Sequence, residues 1–166
     1  MATDRDWAEG YLHQARADLA GARAMGPASP STLAMLWQMV FEKFAKAALL
    51  RARALPIARV STSHRAASRM LQAIRRQKSL SLALGGTKVW EDVLWFIGAL
   101  EDAHPQLAAP GAPRLEYPWE HVDGTIRWPA KDLQVAKALG DAKSGLGPRV
   151  VRFAELMDQR FDSMFP

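Results

Sequence analysis

The stretch "STLAMLWQMVFEKFAKAALLRARA", residues 31–54, decides the fold class. At about 100° of rotation per residue in an α-helix, Leu33, Trp37, Val40, Phe41, Phe44 and Ala48 gather on one side. Glu42 and Lys46 face away, in the Glu-before-Lys order at i, i+4 that adds about 0.2–0.5 kcal/mol. Pro30 stands just ahead, with Ser31 or Thr32 as the cap. No period-two alternation competes with this pattern. The spacing predicts one long amphipathic helix whose apolar stripe other elements must cover.

The flanking segments supply that cover. Trp7, Tyr11, Ala15, Leu19 and Ala22 predict a helix over 6–25. Ala67, Met70, Leu71 and Ile74 predict another over 62–77. A third flanking helix, over 87–102, buries Trp90, Val93, Leu94, Ile97 and Leu100. It leaves Trp95 and Phe96 off that face, which calls for a second partner: the later helices of this chain, or a second copy in a homodimer. "WPAKDL" places Pro129 in the first turn of a short helix ending near Gly140. Val150, Val151, Ala154, Met157, Phe161 and Met164 predict a final helix over 148–163. Segments 26–31, 55–63, 79–87, 104–119 and 140–148 are rich in Gly, Pro and Ser and read as loops. The expected fold is all-α: a single-domain, up-and-down antiparallel helical bundle of four main helices plus one or two short ones. A chain of 166 residues is long enough to bury a real core.

Composition removes several chemistries. The chain has no cysteine, which excludes disulfides, thiolate metal sites and thiol nucleophiles. His13, His64, His104 and His121 show no ligand-like spacing with one another or with acids, so neither a metal site nor a cofactor is expected. The opening "MATDRDWAEG" carries acids where a signal peptide needs an apolar core. No apolar run approaches the ~18 residues of a membrane span, and a cytoplasmic location without membrane contact is expected. The net charge of +5 is unevenly spread. Residues 43–88 hold eleven of the 22 Lys and Arg and none of the 17 acids. Such a block suits a polyanionic partner such as RNA or a nucleotide, or else an acidic protein. Within it, Arg65, Arg69 and Arg76 project opposite the apolar face of their helix, with Lys43 and Lys46 nearby in sequence. No aromatic residues are interleaved with them, so a base-stacking groove is not expected there.

The succession "YLHQARADLAGA", "LWQMVFEKFAKAALL", "STSHRAASRML" and "YP" ahead of a carboxy-terminal helix resembles the HEPN domain across roughly residues 7–163. The sharpest part of the resemblance is Glu42, Lys43 and Lys46 inside an Ala- and Leu-rich helix. It implies a bundle that commonly dimerises, occurs in toxin–antitoxin, defence and RNA-processing systems, and often works beside a nucleotidyltransferase partner. Many members are metal-independent ribonucleases marked by an arginine, four to six residues, then a histidine. In such a site the arginine balances phosphate charge and the histidine exchanges protons with the ribose hydroxyl or the leaving oxygen.

Two pairs match that mark, Arg59 with His64 and Arg114 with His121. Arg59 precedes the expected helix cap, so no helix fixes its distance to His64. Pro118 interrupts the second pair. Arginine is frequent enough here that about one such match is expected from composition alone. The preferred reading is a non-catalytic binding module, with a metal-independent ribonuclease and a purely structural dimeric bundle as its rivals.

Overall fold

The structure, a computed structural model, describes residues 2–166. Four long helices frame it: α1 (Asp4–Met25), α2 (Pro30–Arg51), α6 (Gly86–Asp102) and α9 (Leu146–Met164). Between them lie the ten-residue α4 (Ala66–Arg75) and the shorter α3 (Ile57–Val60), α5 (Lys78–Ala83), α7 (Pro129–Asp132) and α8 (Gln134–Gly140). The protein is an all-α helical bundle with one two-stranded ribbon, β1 (Trp119–Glu120) and β2 (Ile126–Arg127).

Ion pairs and aromatic contacts give the directions of the helices. Along α1 and α2, Glu9 meets Arg51 at 2.7 Å and Asp18 meets Lys43, so the two run antiparallel. α9 runs against α1, with Arg16 on Asp158 at 2.7 Å and Arg23 on Glu155 at 3.3 Å. It also runs against α6: the Trp90 ring meets Phe153 edge-on at 5.0 Å, and Asp92 meets Arg149 at 2.6 Å. One core extends from Leu12 to Phe161. Its centre is aromatic, with Trp37, Phe41, Phe44, Trp90, Phe96, Phe153 and Phe161 all at 1% exposure or less. A small satellite of Ala8, Leu50 and Val60 anchors α3 beside the ends of α1 and α2.

The start of α1 is set by a reciprocal cap. The Asp6 amide donates to the Thr3 hydroxyl at 3.2 Å, and the Asp6 carboxylate accepts from the Thr3 amide at 2.7 Å. This satisfies two backbone donors that a helix end otherwise leaves open. The helix thereby begins two residues before the expected Asp6.

Several expectations need correction. Trp7, expected in the core, is 47% exposed, and the buried face of α1 is Ala8, Leu12, Ala15, Leu19 and Ala22. Two small alanines at Ala8 and Ala15 let the helices approach closely, where an indole would hold them apart. Phe96, left for the later helices of this chain or a second copy to cover, is fully buried within this chain and so is not at a dimer seam. α6 is covered by α2, α4 and α5 as well as by α8 and α9, so its buried face widens to include Phe96 while Trp95 stays outside. The segments at 55–63 and 79–87, read as loops, hold α3 and all but the first residue of α5. The 104–119 segment, extended to 127, ends in the ribbon, where Trp119 pairs with Arg127 and Glu120 with Ile126. Pieces of two to six residues are too short to display a helical or strand period. Among the described residues, no helix is long and apolar enough to cross a membrane.

Near the carboxy end of α9, Asp162 accepts from Arg51 at 2.5 Å. That hydrogen bond, reinforced by the charge of Arg51, holds the Asp162 carboxyl below its ordinary value of 3.8. A lowered folded-state value stabilises the fold above the unfolded value and loses that stabilisation as pH falls through the folded one. Denaturant midpoints of the wild type and Asp162→Asn are therefore expected to differ at neutral pH and to converge below pH 3.8. A constant offset across that range rules the contribution out.

Candidate functional site

The arginine face rests on how α4 is placed. Residues 61–65 turn before the helix starts at Ala66, four positions later than the pattern suggests. α4 has no side-chain cap of its own. Its Ser68 amide donates instead to the Glu101 carboxylate of α6, at 3.0 Å. Glu101 is only 3% exposed, and burial pushes its carboxyl above the usual value despite the bonds from Ser68. Ala66, Ala67, Met70, Leu71 and Ile74 face the core, so the opposite side must face water. Arg69, Arg75 and Arg76 are exposed there, and none has an ion-pair partner among the described residues. Arg65, the first member of the expected stripe, is held by Asp102 at 2.9 Å.

Lys43 and Lys46 do not belong to that face. Lys43 pairs with Asp18 of α1. Lys46 is 6% exposed, donating to Glu42 at 2.7 Å and to the Ser61 carbonyl at 3.0 Å, with the Tyr11 ring beneath it at 5.7 Å. Both lysines are internal struts. The reason is the position of α2, which α1, α4, α6 and α8 surround. A helix wheel assumes one solvent side, and α2 has almost none.

The same crowding assembles a polar cluster that spacing along the chain argued against. Single ligand-type atoms of Glu42, His64 and His104 all lie within 4.8 Å of one another. The two imidazoles stack with centroids 4.5 Å apart and planes 27° apart. His104 sits just past α6, where its Nδ1 accepts from the Gln106 amide at 3.2 Å. Burial, and then the neighbouring His64, hold its pKa below the ordinary 6.5. His64 Nδ1 is buried without a hydrogen-bond partner. Glu42 is oriented by Lys46 on one oxygen and Gln38 on the other. Positions 42, 64 and 104 are 22 and 40 residues apart, so no local spacing announces the cluster.

The two arginine–histidine pairs are not joined. No hydrogen bond links Arg59 to His64 or Arg114 to His121 among the described residues. Arg59 is exposed on the short α3, while His64 is turned inward on His104. Arg114 precedes Leu115, which is buried and bonded through its amide to Ala103. His121 belongs to the ribbon turn, its amide donating to the Thr125 carbonyl at 2.9 Å. Trp95 is 46% exposed and edges a 220 Å³ cavity lined by Ala99, Ala103, Pro113 and Leu133.

No protein-family model, curated protein or solved structure matches this chain. The chemistry of the surface and of the half-buried cluster therefore carries the functional reading.

Proposed function

We propose that the protein is a HEPN-like, non-catalytic RNA-binding module that contacts phosphates through the outer face of α4. The observation carrying this reading is the grouping of exposed, unpaired arginines along α4. Arg16, Arg23, Arg51, Arg65, Arg127 and Arg149 each meet a carboxylate. Arg69 and Arg75 on α4, with Arg76 at its cap, are exposed and meet none. Arg5, Arg53, Arg59, Arg114, Arg152 and Arg160 also meet none among the described residues, but no three of those share one helix. Three like charges held together are relieved by a polyanion, and released counterions favour its binding. The inward-turned His64 supports binding over cleavage, since a proton-exchanging group must reach the ribose.

The test is RNA affinity measured against salt concentration. The wild type is expected to lose affinity steeply as salt rises. Arg69→Ala/Arg75→Ala/Arg76→Ala is expected to bind at least about tenfold more weakly, with a salt slope about two units shallower, at roughly 0.7 per phosphate contact on a single strand. Salt-insensitive binding, or a triple variant that binds like the wild type, removes the proposal. Incubation with RNA in chelator should leave the RNA intact. Cleavage that disappears in His64→Ala or His121→Ala would replace this reading with that of a metal-independent ribonuclease.

The reading extends to assembly. A homodimer is proposed with Trp95 at its seam, and Trp95→Glu should then elute as a monomer. An unchanged dimer rejects that seam, and a monomeric wild type rejects the dimer. A nucleotidyltransferase encoded beside this chain would place it in a paired toxin–antitoxin system.

A further inference from the structure

The geometry points to a divalent transition-metal site, best suited to zinc, formed by Glu42, His64 and His104. Three observations carry it, none involving the arginine face. The first is the donor set, two imidazoles and one carboxylate, which is one of the combinations zinc takes when it keeps a position for water. Their ligand atoms lie within 4.8 Å of one another. Bonds of about 2.0–2.1 Å to a tetrahedral ion require separations of about 3.4 Å, so closing the set takes side-chain shifts of about 1 Å.

The second is unmet bonding capacity at one place. His64 Nδ1 and Glu101 Oε2 are both buried without hydrogen-bond partners. Both residues line a cavity of about 10 Å³, together with Gln38 and Glu42. That volume is close to what one water needs. A buried polar atom left unpaired costs about 1–3 kcal/mol, so two such atoms on residues that line one small space call for a partner. A metal ion at Glu42, His64 and His104, bound through His64 Nδ1, would satisfy that atom directly.

The third is the supporting shell. Lys46 and Gln38 fix the Glu42 carboxylate from outside while leaving lone pairs on both oxygens. Such outer partners hold first-shell ligands in position. The Gln106 amide now donates to His104 Nδ1 at 3.2 Å, and binding through that nitrogen displaces this contact in an exposed loop. The three ligands come from α2, the turn before α4, and the segment after α6. One ion would therefore add to the contacts that already join these three elements, the Lys46–Ser61 hydrogen bond and the stack of His64 on His104.

The experiment titrates the full chain, stripped with chelator, with zinc and separately with cobalt. The expected result is one ion per chain, a rise in Tm with zinc, and the visible absorption of low-symmetry cobalt. His64→Ala and His104→Ala are expected to lose at least about 100-fold in affinity, since loss of an outer-shell partner alone costs 10–100-fold. His13→Ala and His121→Ala should bind like the wild type. Glu42 is left intact because Lys46 depends on it. A wild type that binds no zinc and shows no cobalt band overturns the site, as does affinity unchanged in both His64→Ala and His104→Ala. Should those variants misfold, the wild-type cobalt spectrum and zinc-dependent shifts confined to the His64 and His104 ring resonances decide alone: shifts there support the site, and shifts elsewhere overturn it.

Discussion

Phe153→Ala is expected to destabilise the fold by about 3–5 kcal/mol, the range for removing a buried aromatic ring. Phe153 has no exposed surface and lies where three helices meet. Its ring stands 6.3 Å from Phe41 of α2 and 5.0 Å, edge-on, from Trp90 of α6. Rigid rings on both sides cannot collapse into the space, so the cavity term adds to the lost transfer free energy. In a domain of this size the change corresponds to a Tm drop of roughly 6–20 °C. Thermal unfolding followed by circular dichroism measures it. A loss under about 1 kcal/mol would mean that α2, α6 and α9 do not meet at this ring.

Lys46→Ala is the second large effect, expected at about 3 kcal/mol in denaturant melts. The substitution strands Glu42, whose side chain is 17% exposed, and removes the donor to the Ser61 carbonyl. Removing one partner of a buried ion pair costs about 3–5 kcal/mol because the other charge stays buried and unpaired. The figure sits at the low end here because Gln38 still donates to Glu42. Replacing both partners by apolar residues of similar size, as in Glu42→Leu/Lys46→Met, should recover most of the loss. A single variant as stable as the wild type would place Lys46 in solvent, as a helix wheel alone suggests.

These two residues mark the limit of what periodicity can read. The wheel over 31–54 placed Trp37, Phe41 and Phe44 in the core, and there they are. It placed Glu42 and Lys46 outside, because it assumes one dry side and one wet side. Four neighbouring helices make α2 dry nearly all round, and the pair becomes an internal strut. Arg65 shows the same limit in milder form. Residues 43–88 contain no acid, yet Asp102 arrives from the end of α6 to neutralise it. Arg69 and Arg75, farther along α4, and Arg76 at its cap escape that reach. The basic face was thus legible as a block of charge, and its effective members were not.

What the sequence by itself determined is the helical class, the main helix spans to within a few residues, the absence of thiol chemistry and the polarity of charge. All of these are local: they follow from the 3.6-residue period, from composition, and from residues three or four positions apart. What only the tertiary structure decided is which charges remain free, that Phe96 is core and Trp95 is surface, and that Glu42, His64 and His104 meet. Contacts between positions 22 and 40 residues apart depend on how helices pack against one another, and no spacing along the chain encodes that.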